Sequence, residues 1–518
     1  MLKKVSSAAI FGLETVGVTV EVNISSRGFP AFEIVGLANK AVSESKERVK
    51  TALVNSGYEF PAKKITVNLA PADLPKEGAF YDLPIAVGIV AAERGFQVPE
   101  DAIFFGELSL DGLVKYTKGA ILFGIFVADQ GFDSVFFPWD CASELNALEG
   151  FKKYPAKSIS EVIKHLDGSK KLVPCNLPKQ TISSIEVSTD LLFENVLGQE
   201  YVKRALEISA AGGHNLLMIG TPGSGKSMMA KAFPSILPGL DKEAAIDSAR
   251  IYSVAGVLER WGNRRGREKE HGLNFTPPFR NPHHSISHAG LVGGGSIPQP
   301  GEISLAHKGV LFLDELPEFR RQSIESLRQP LEDGFIKISR SFGSVKFPTE
   351  FILLAAANPC PCGYLGHSKK ACTCSQRQVH NYTKKISGPM LDRIDLYVHV
   401  KPVEVEKLAG KRAGTYGETS ETIKTRVIKA RKIQARRFNG LNIKLNARMS
   451  NKQIEEFCVL EEGARSLLKV AAERMSLSAR TYFKTIKIAR TIADLSTSGI
   501  VKTEHIAEAL QYRKKDQS

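Results

Sequence analysis

The sequence predicts an α/β protein built in three parts: an N-terminal α/β domain over residues 1–180, a second α/β core over 190–402 and an α-helical region over 420–518. Three observations lead there. The apolar run Leu216-Leu217-Met218-Ile219 passes into Gly220-Thr221-Pro222-Gly223-Ser224-Gly225-Lys226-Ser227 and then into helix formers, the strand, glycine loop and helix of a P-loop. A second buried run, Val310 to Leu313, delivers Asp314 and Glu315 at its end. Beyond Pro402 the composition changes, and apolar residues recur at helical spacing from Asn451 to Tyr512.

A chain of 518 residues exceeds what one hydrophobic core supports, so several domains are expected. With 43% hydrophobic and 24% charged residues the composition is that of a globular protein. The longest apolar runs, Leu83 to Ala92 and Phe351 to Ala357, fall short of the ~20 residues that span a bilayer. Met1 to Lys4 faintly resembles a signal n-region, but Glu14 interrupts the apolar stretch behind it. A cytoplasmic protein without a membrane partner is expected. The net charge of +15 favours a polyanionic partner. Of seven cysteines, Cys141, Cys175 and Cys458 are scattered, and an odd count does not suggest a disulfide framework.

In the N-terminal part, Val18 to Ile24, Lys64 to Leu69 and Ser134 to Phe137 read as strands, and Asn39 to Asn55 and Ala120 to Gln130 as helices. On Leu74-Pro75-Lys76-Glu77-Gly78 and Gly106 to Gly112 this half resembles the ribosomal-S5-like domain shared by Lon proteases and magnesium-chelatase-like proteins. In Lon a nucleophilic serine follows the first stretch; here Ala79-Phe80-Tyr81-Asp82 stands there. Ile121 falls about where the partner lysine would lie, with Lys115 and Lys118 nearby. A Ser–Lys dyad needs both members, so a non-proteolytic domain is expected. Val173 to Thr189 reads as a linker.

The core then opens with Phe193 to Glu200, a helix from Tyr201 to Ala211, and Gly212-Gly213-His214-Asn215. In the P-loop the glycines let backbone N–H groups close on an anion at a helix N-terminus. Lys226 is suited to the β- and γ-phosphates of a nucleoside triphosphate and the Ser227 hydroxyl to Mg2+. Asp314, at the end of a buried strand, is suited to holding Mg2+ through water, and Glu315 to polarising the attacking water. Asn358 ends the strand Phe351 to Ala357 and is either a turn residue before Pro359 or a polar group aimed at the same site. Arg393, beside a helix end, is either a finger for a neighbouring subunit's phosphate or a partner of Asp392 or Asp395.

These motifs, with Gly198-Gln199-Glu200, Phe279-Arg280-Asn281-Pro282-His283-His284, Pro300 to His307 and Asn358 to Tyr364, resemble the ComM/YifB proteins, magnesium-chelatase-like AAA+ ATPases, from Val16 to Arg513. The resemblance implies an AAA+ core with an α-helical lid, ATP and Mg2+ as cofactors, and a homo-hexameric ring. It implies Asn358 as the γ-phosphate sensor, Arg393 as the finger and Arg480, in Leu477-Ser478-Ala479-Arg480, as the second sensor. For ComM members it further implies ATP-driven DNA branch migration.

Two insertions bear on DNA, single-stranded or branched. Arg260 to Pro300 is rich in Gly, Pro, Arg and His and resembles the helix-2 insert of the chelatase branch; His283 and His284 within it are read as structural. Phe335 to Phe347 alternates on either side of a Gly-containing turn and reads as a β-hairpin resembling the pre-sensor-1 hairpin. Lys337, Arg340 and Lys346 would contact phosphates, with Phe342 near the tip; a hairpin that merely caps the sheet is the alternative. The helix Ile423 to Arg437, with seven Lys/Arg, suits a solvated face or subunit contact as well as DNA.

Cys360, Cys362, Cys372 and Cys374 can enclose Zn2+, with His367 or His380 as substitute ligands, or remain reduced thiols; their spacing does not decide. The expected function is a ring-shaped ATPase that acts on DNA as a helicase or branch-migration motor. The alternatives are a magnesium-chelatase-type metal-insertion motor subunit and a protein-remodelling or regulatory ATPase.

Overall fold

In the computed structural model the described residues are 1–36, 40–72, 76, 78–175, 191–258, 275–295, 298–340, 343–367, 370–402 and 418–513. The linkers expected between 173 and 189 and between 410 and 418 lie almost wholly outside them, as do much of the insertion after Arg260 and Phe342 of the hairpin tip. The chain divides into two compact units, Met1–Ser183 with Ala245–Asn274, and Ser184–Ala244 with Phe275–Ser518. No helix is long and apolar enough to cross a membrane among the described residues.

The first unit is built on strands β1 (Leu2–Phe11), β2 (Glu14–Ser25), β3 (Ala31–Val35), β4 (Lys64–Ala70) and β5 (Ala102–Phe104). The short pair β6 (Glu107–Leu108) and β7 (Val114–Lys115) follows, then β8 (Ser134–Pro138) and β9 (Lys152–Ala156). Its seven-stranded sheet runs β3-β4-β2-β1-β5-β8-β9. Alternation in β2 buries Val18, Val20, Val22 and Ile24 on one face, as a half-buried strand requires. Against it packs the apolar helix Asp82–Arg94, so closely that a Cβ on Gly88 would lie 2.5 Å from Val22 Cγ2. At that helix's start, Asp82 is buried and paired with Arg48 at 2.8 Å. Ile121 is fully buried in the helix Ala120–Gln130. The helix Lys242–Ala255 sends its later turns into this unit, where the Ser253 hydroxyl donates to Glu144 at 2.6 Å.

The second unit holds β10 (Leu216–Gly220), β11 (Phe279–Arg280), the small pair β12 (Gly293–Gly294) and β13 (Gln299–Pro300), and β14 (Val310–Leu313). The hairpin β15 (Phe335–Arg340) and β16 (Gly343–Pro348) precedes β17 (Ile352–Ala357) and β18 (Leu396–Val400). A five-stranded sheet, β11-β14-β17-β10-β18, is parallel throughout. Every residue of β14 and β17 is buried, the expected state of a parallel strand covered on both faces. Among the described residues five α-helices follow: Ser420–Arg437, Asn451–Phe457, Glu462–Arg474, Ala479–Leu495 and Thr503–Gln511. Their apolar faces join one core with the sheet, Ile488, Ile492 and Val427 packing in the same cluster as Leu216 and Val398.

Candidate active site

The strands that carry the expected site residues end on one edge of the sheet. Ile219 of β10 lies opposite Ala357 of β17, and Ala355 of β17 opposite Leu313 of β14. The segments that follow, from Gly220, Asn358 and Asp314, therefore emerge together at the carboxyl ends of parallel strands, where ligands of such sheets bind.

Within the P-loop, Gly223 (φ 76°) and Gly225 (φ 93°) adopt the left-handed conformation that a side chain would oppose. The Lys226 ammonium donates to the carbonyls of Gly220 at 2.7 Å and Thr221 at 3.0 Å, and to Asn358 Oδ1 at 3.3 Å. Burial lowers the lysine's pKa, an effect that Asp314 and Glu315 oppose. The Ser227 hydroxyl donates to Asp314 Oδ2 at 2.5 Å, so the two expected Mg2+ residues are adjacent. Two further hydroxyls of the loop, Thr221 Oγ1 and Ser224 Oγ, are buried without a hydrogen-bond partner among the described residues. Each such orphan costs about 1–3 kcal/mol, and a ligand rich in acceptor oxygens satisfies both. The donor set thus fits a Mg2+-bound triphosphate.

Glu315 has φ 53°, a strained value for a residue with a Cβ. Its N–H donates to Asp314 Oδ1 at 2.9 Å, and its carboxylate lies 3.4 Å from His284 Nδ1. His284, expected to be structural, therefore faces the proposed water-activating group, and nothing in its local sequence signals this. Nearby, burial together with Glu318 and Glu315 raises the Tyr382 hydroxyl to about 12.

Arg393 is fixed by its own surroundings. It donates to the carbonyls of Pro389 at 2.6 Å and Arg328 at 3.2 Å and forms an ion pair with Glu332. Arg480 approaches the other oxygen of Glu332 at 3.5 Å. Among the described residues neither arginine is hydrogen-bonded to the P-loop, Asp314 or Glu315. The alternative partner Asp395 is instead engaged by Lys484 at 3.1 Å and by the Asn215 N–H at 2.9 Å. Nothing in the sequence around Glu332 marks it as a site residue.

The Arg393 segment is braced from below. Asn215 donates to the Arg393 carbonyl at 3.0 Å and accepts from the Leu353 N–H at 3.0 Å. Beside it His214 Nε2 lies 2.8 Å from Thr491 Oγ1, and burial lowers its pKa to about 4. The Gly-Gly-His-Asn stretch thus ties the P-loop strand, β17 and the helix Ala479–Leu495 together.

The hairpin is present, with Lys337 directly opposite Lys346 on its exposed face and Ile336, Ile338, Val345 and Phe347 buried on the other. Lys346 also lies 4.2 Å from the Phe335 ring centroid. The Arg340 side chain and Phe342 fall outside the described residues. On the basic helix, by contrast, much of the charge is spent internally. Arg426 pairs with Glu207 and Glu418, Arg431 donates to the Ala210 carbonyl at 2.9 Å, and Arg437 pairs with Asp494. The thiols of Cys360, Cys362, Cys372 and Cys374 come together within 4.8 Å of one another, without either histidine.

The family model described as magnesium chelatase, subunit ChlI, matches residues 192–408; those for subunit ChlI of Mg-chelatase and for its C-terminal part match 20–140 and 417–513. The chain is 41% identical over 515 residues to YifB of Salmonella typhimurium, covering 98% of this chain and 96% of the relative. It is 40% identical over 513 residues to competence protein ComM of Haemophilus influenzae, covering 98% and 97%. A magnesium-chelatase 67 kDa subunit of Heliobacterium mobile is 28% identical over 194 residues, 33% of this chain and 28% of that protein. With three family models along its length and near-complete relatives at this identity, the chain belongs to the ComM/YifB family of magnesium-chelatase-like proteins.

Proposed function

We propose that this protein is an AAA+ ATPase that works as a homo-hexameric ring and uses ATP to move single-stranded or branched DNA. The observation that carries the ATPase reading is the convergence of Lys226, Ser227, Asp314 and Asn358 on one P-loop. ATP phosphates would lie on the backbone N–H groups between Gly223 and Lys226, where the ammonium exchanges the Gly220 and Thr221 carbonyls for β- and γ-phosphate oxygens. Ser227 and Asp314 would hold Mg2+, which when bound neutralises charge on the β- and γ-phosphates. Glu315 polarises the attacking water and Asn358 orients it.

Arg393 and Arg480 share Glu332 and make no hydrogen bond to their own P-loop among the described residues. Arg393 is read as the finger for a neighbouring subunit's γ-phosphate and Arg480 as the second sensor that reaches the γ-phosphate from the helical lid, their positive charge offsetting what develops in the transition state.

Three observations support DNA as the substrate. The net charge is +15. Lys337 and Lys346 face each other across the hairpin, a like-charge pair that is unfavourable without an anionic partner. A relative aligned along almost its whole length is a competence protein. We further read the first unit as a non-proteolytic S5/Lon-like domain, supported by Asp82 locked to Arg48 and by the buried Ile121.

A metal-insertion motor is the second reading, favoured by the chelatase family models and the Heliobacterium relative. A branch-migration assay on a three-stranded DNA substrate separates the two. The DNA reading expects ATP-dependent strand movement by the native chain and none by Glu315→Gln; an ATPase that leaves every DNA substrate unmoved favours the second reading.

A further inference from the structure

Four thiols of the second unit take no part in the phosphate chemistry, yet they are gathered closely. Sγ separations are 3.4 Å for Cys360–Cys362, 3.6 Å for Cys362–Cys372 and 3.7 Å for Cys360–Cys372. All four sulfurs lie within 4.8 Å of one another. A thiolate tetrahedron on Zn2+, with Zn–S bonds of about 2.3 Å, has edges of about 3.8 Å. Backbone N–H groups turn toward these sulfurs, Leu365 to Cys360 and Cys362 to Cys374, each at 3.4 Å. Such hydrogen bonds are the usual outer support of metal-bound thiolates. His367 accepts from the Lys370 N–H at 3.1 Å, and among the described residues no imidazole joins the group. Four sulfur donors at tetrahedral spacing select a soft, tetrahedral cation over Mg2+ or Ca2+.

The cluster's position gives it a task. Cys360 follows Asn358 by two residues, and Asn358 Oδ1 is the group 3.3 Å from Lys226. Gly363, at φ 84°, rests on the P-loop: a Cβ there would lie 2.6 Å from Pro222 Cγ and 2.7 Å from Cδ. One short segment, Asn358 to Gly363, thus carries the sensor amide, two of the four sulfurs and the surface on which the P-loop lies.

We infer that Cys360, Cys362, Cys372 and Cys374 bind one Zn2+, which clamps the Asn358–Gly363 segment against the P-loop and sets the position of the sensor amide. The metal site stands on sulfur geometry alone; its effect on turnover rests on the reading of Gly220–Ser227 as an ATP site. Loosening the clamp displaces Asn358 more than it disturbs the backbone phosphate cradle, so turnover suffers before binding does.

The test uses the full chain purified without chelator. Elemental analysis should find one Zn2+ per chain, and Co2+ exchanged into the site should show the absorption of a tetrahedral thiolate centre. The double variant Cys372→Ser/Cys374→Ser should lose the metal and about tenfold to a hundredfold of kcat, with its affinity for ATP little changed. Cys374→His, which supplies a new nitrogen ligand, should retain both metal and turnover. If the double variant fails to fold, releasing the metal from the native chain with an organomercurial, then restoring it with thiol and Zn2+, gives the same readout. Native protein that turns over ATP without metal, its four thiols freely reactive, overturns the site. A metal-free variant with unchanged kcat overturns the clamp, and loss of ATP affinity equal to that of kcat reduces it to a general folding role. Should the native chain bind no ATP at all, the metal content still decides the site.

Discussion

The ammonium of Lys226 lies 3.3 Å from the carboxamide oxygen of Asn358, joining the P-loop to the end of β17 through the two side chains suited to flanking a γ-phosphate. The contact spans two strands paired in parallel, Ile219 opposite Ala357. Sheet register therefore brings the P-loop and Asn358 to the same end of the sheet.

Replacing Lys226 by Ala removes that ammonium from Gly220, Thr221 and Asn358 together. Nucleotide binding should fall to background in a fluorescent-ATP titration while the fold, carried by the buried sheet, persists. Wild-type affinity in Lys226→Ala would remove the P-loop from the account.

Glu315→Gln keeps the shape of the side chain and takes away its basicity. ATP should bind with near-native affinity, and kcat should drop by about 10²-fold or more. His284, 3.4 Å from Glu315, makes a graded control: His284→Gln should lower kcat less and leave binding alone. Full turnover by Glu315→Gln would take this carboxylate off the catalytic list.

Arg393→Ala should leave ATP binding largely intact and cut hydrolysis by about 10³-fold, the scale of a lost arginine finger. Mixing Arg393→Ala with Lys226→Ala subunits should restore part of the activity, because some interfaces then pair an intact P-loop with an intact arginine. An Arg393→Ala protein that hydrolyses ATP at the native rate would leave the arginine with only its Glu332 and carbonyl contacts.

The sequence made the nucleotide half of this site legible because its parts are local. Gly220 to Ser227 is contiguous, and Asp314, Glu315 and Asn358 each end an unbroken apolar run. The hairpin was legible by alternation, since Ile336, Ile338, Val345 and Phe347 share one face. What escaped was long-range and unpatterned. Glu332 meets Arg393 and Arg480 across gaps that no periodicity marks, and Gly363 is significant only because Pro222 lies against it. The later turns of Lys242–Ala255 gave no sign in composition that they pack with the first unit, through Ser253 and Glu144.

His214 couples stability to pH. Its pKa falls from 6.5 to about 4 because burial disfavours the cation, so the folded chain stays neutral while the unfolded chain binds a proton. The stabilisation is complete above pH 6.5 and is lost as pH falls toward 4, amounting to about 3 kcal/mol across that window. Urea unfolding between pH 7 and 4.5 should show a shallower decline for His214→Gln than for the native chain. Parallel declines would mean that His214 is not held neutral by the fold.

On the hairpin, Lys337→Ala and Lys346→Ala should each weaken DNA binding without regard to sequence and lower the slope of log affinity against log salt by about one. Basal ATPase without DNA should not move in either variant. An unchanged salt slope in both would assign the hairpin to the protein's own scaffold.

On the proposed function, ATP turnover at the Lys226–Asp314 site is coupled to DNA. The most direct measurement is the steady-state ATPase rate of the full chain with Mg2+, with and without forked or single-stranded DNA, at two salt concentrations. A DNA motor should show a DNA-stimulated rate whose stimulation weakens as salt rises; an ATPase indifferent to DNA, together with no salt-sensitive DNA binding, would rule the DNA motor out.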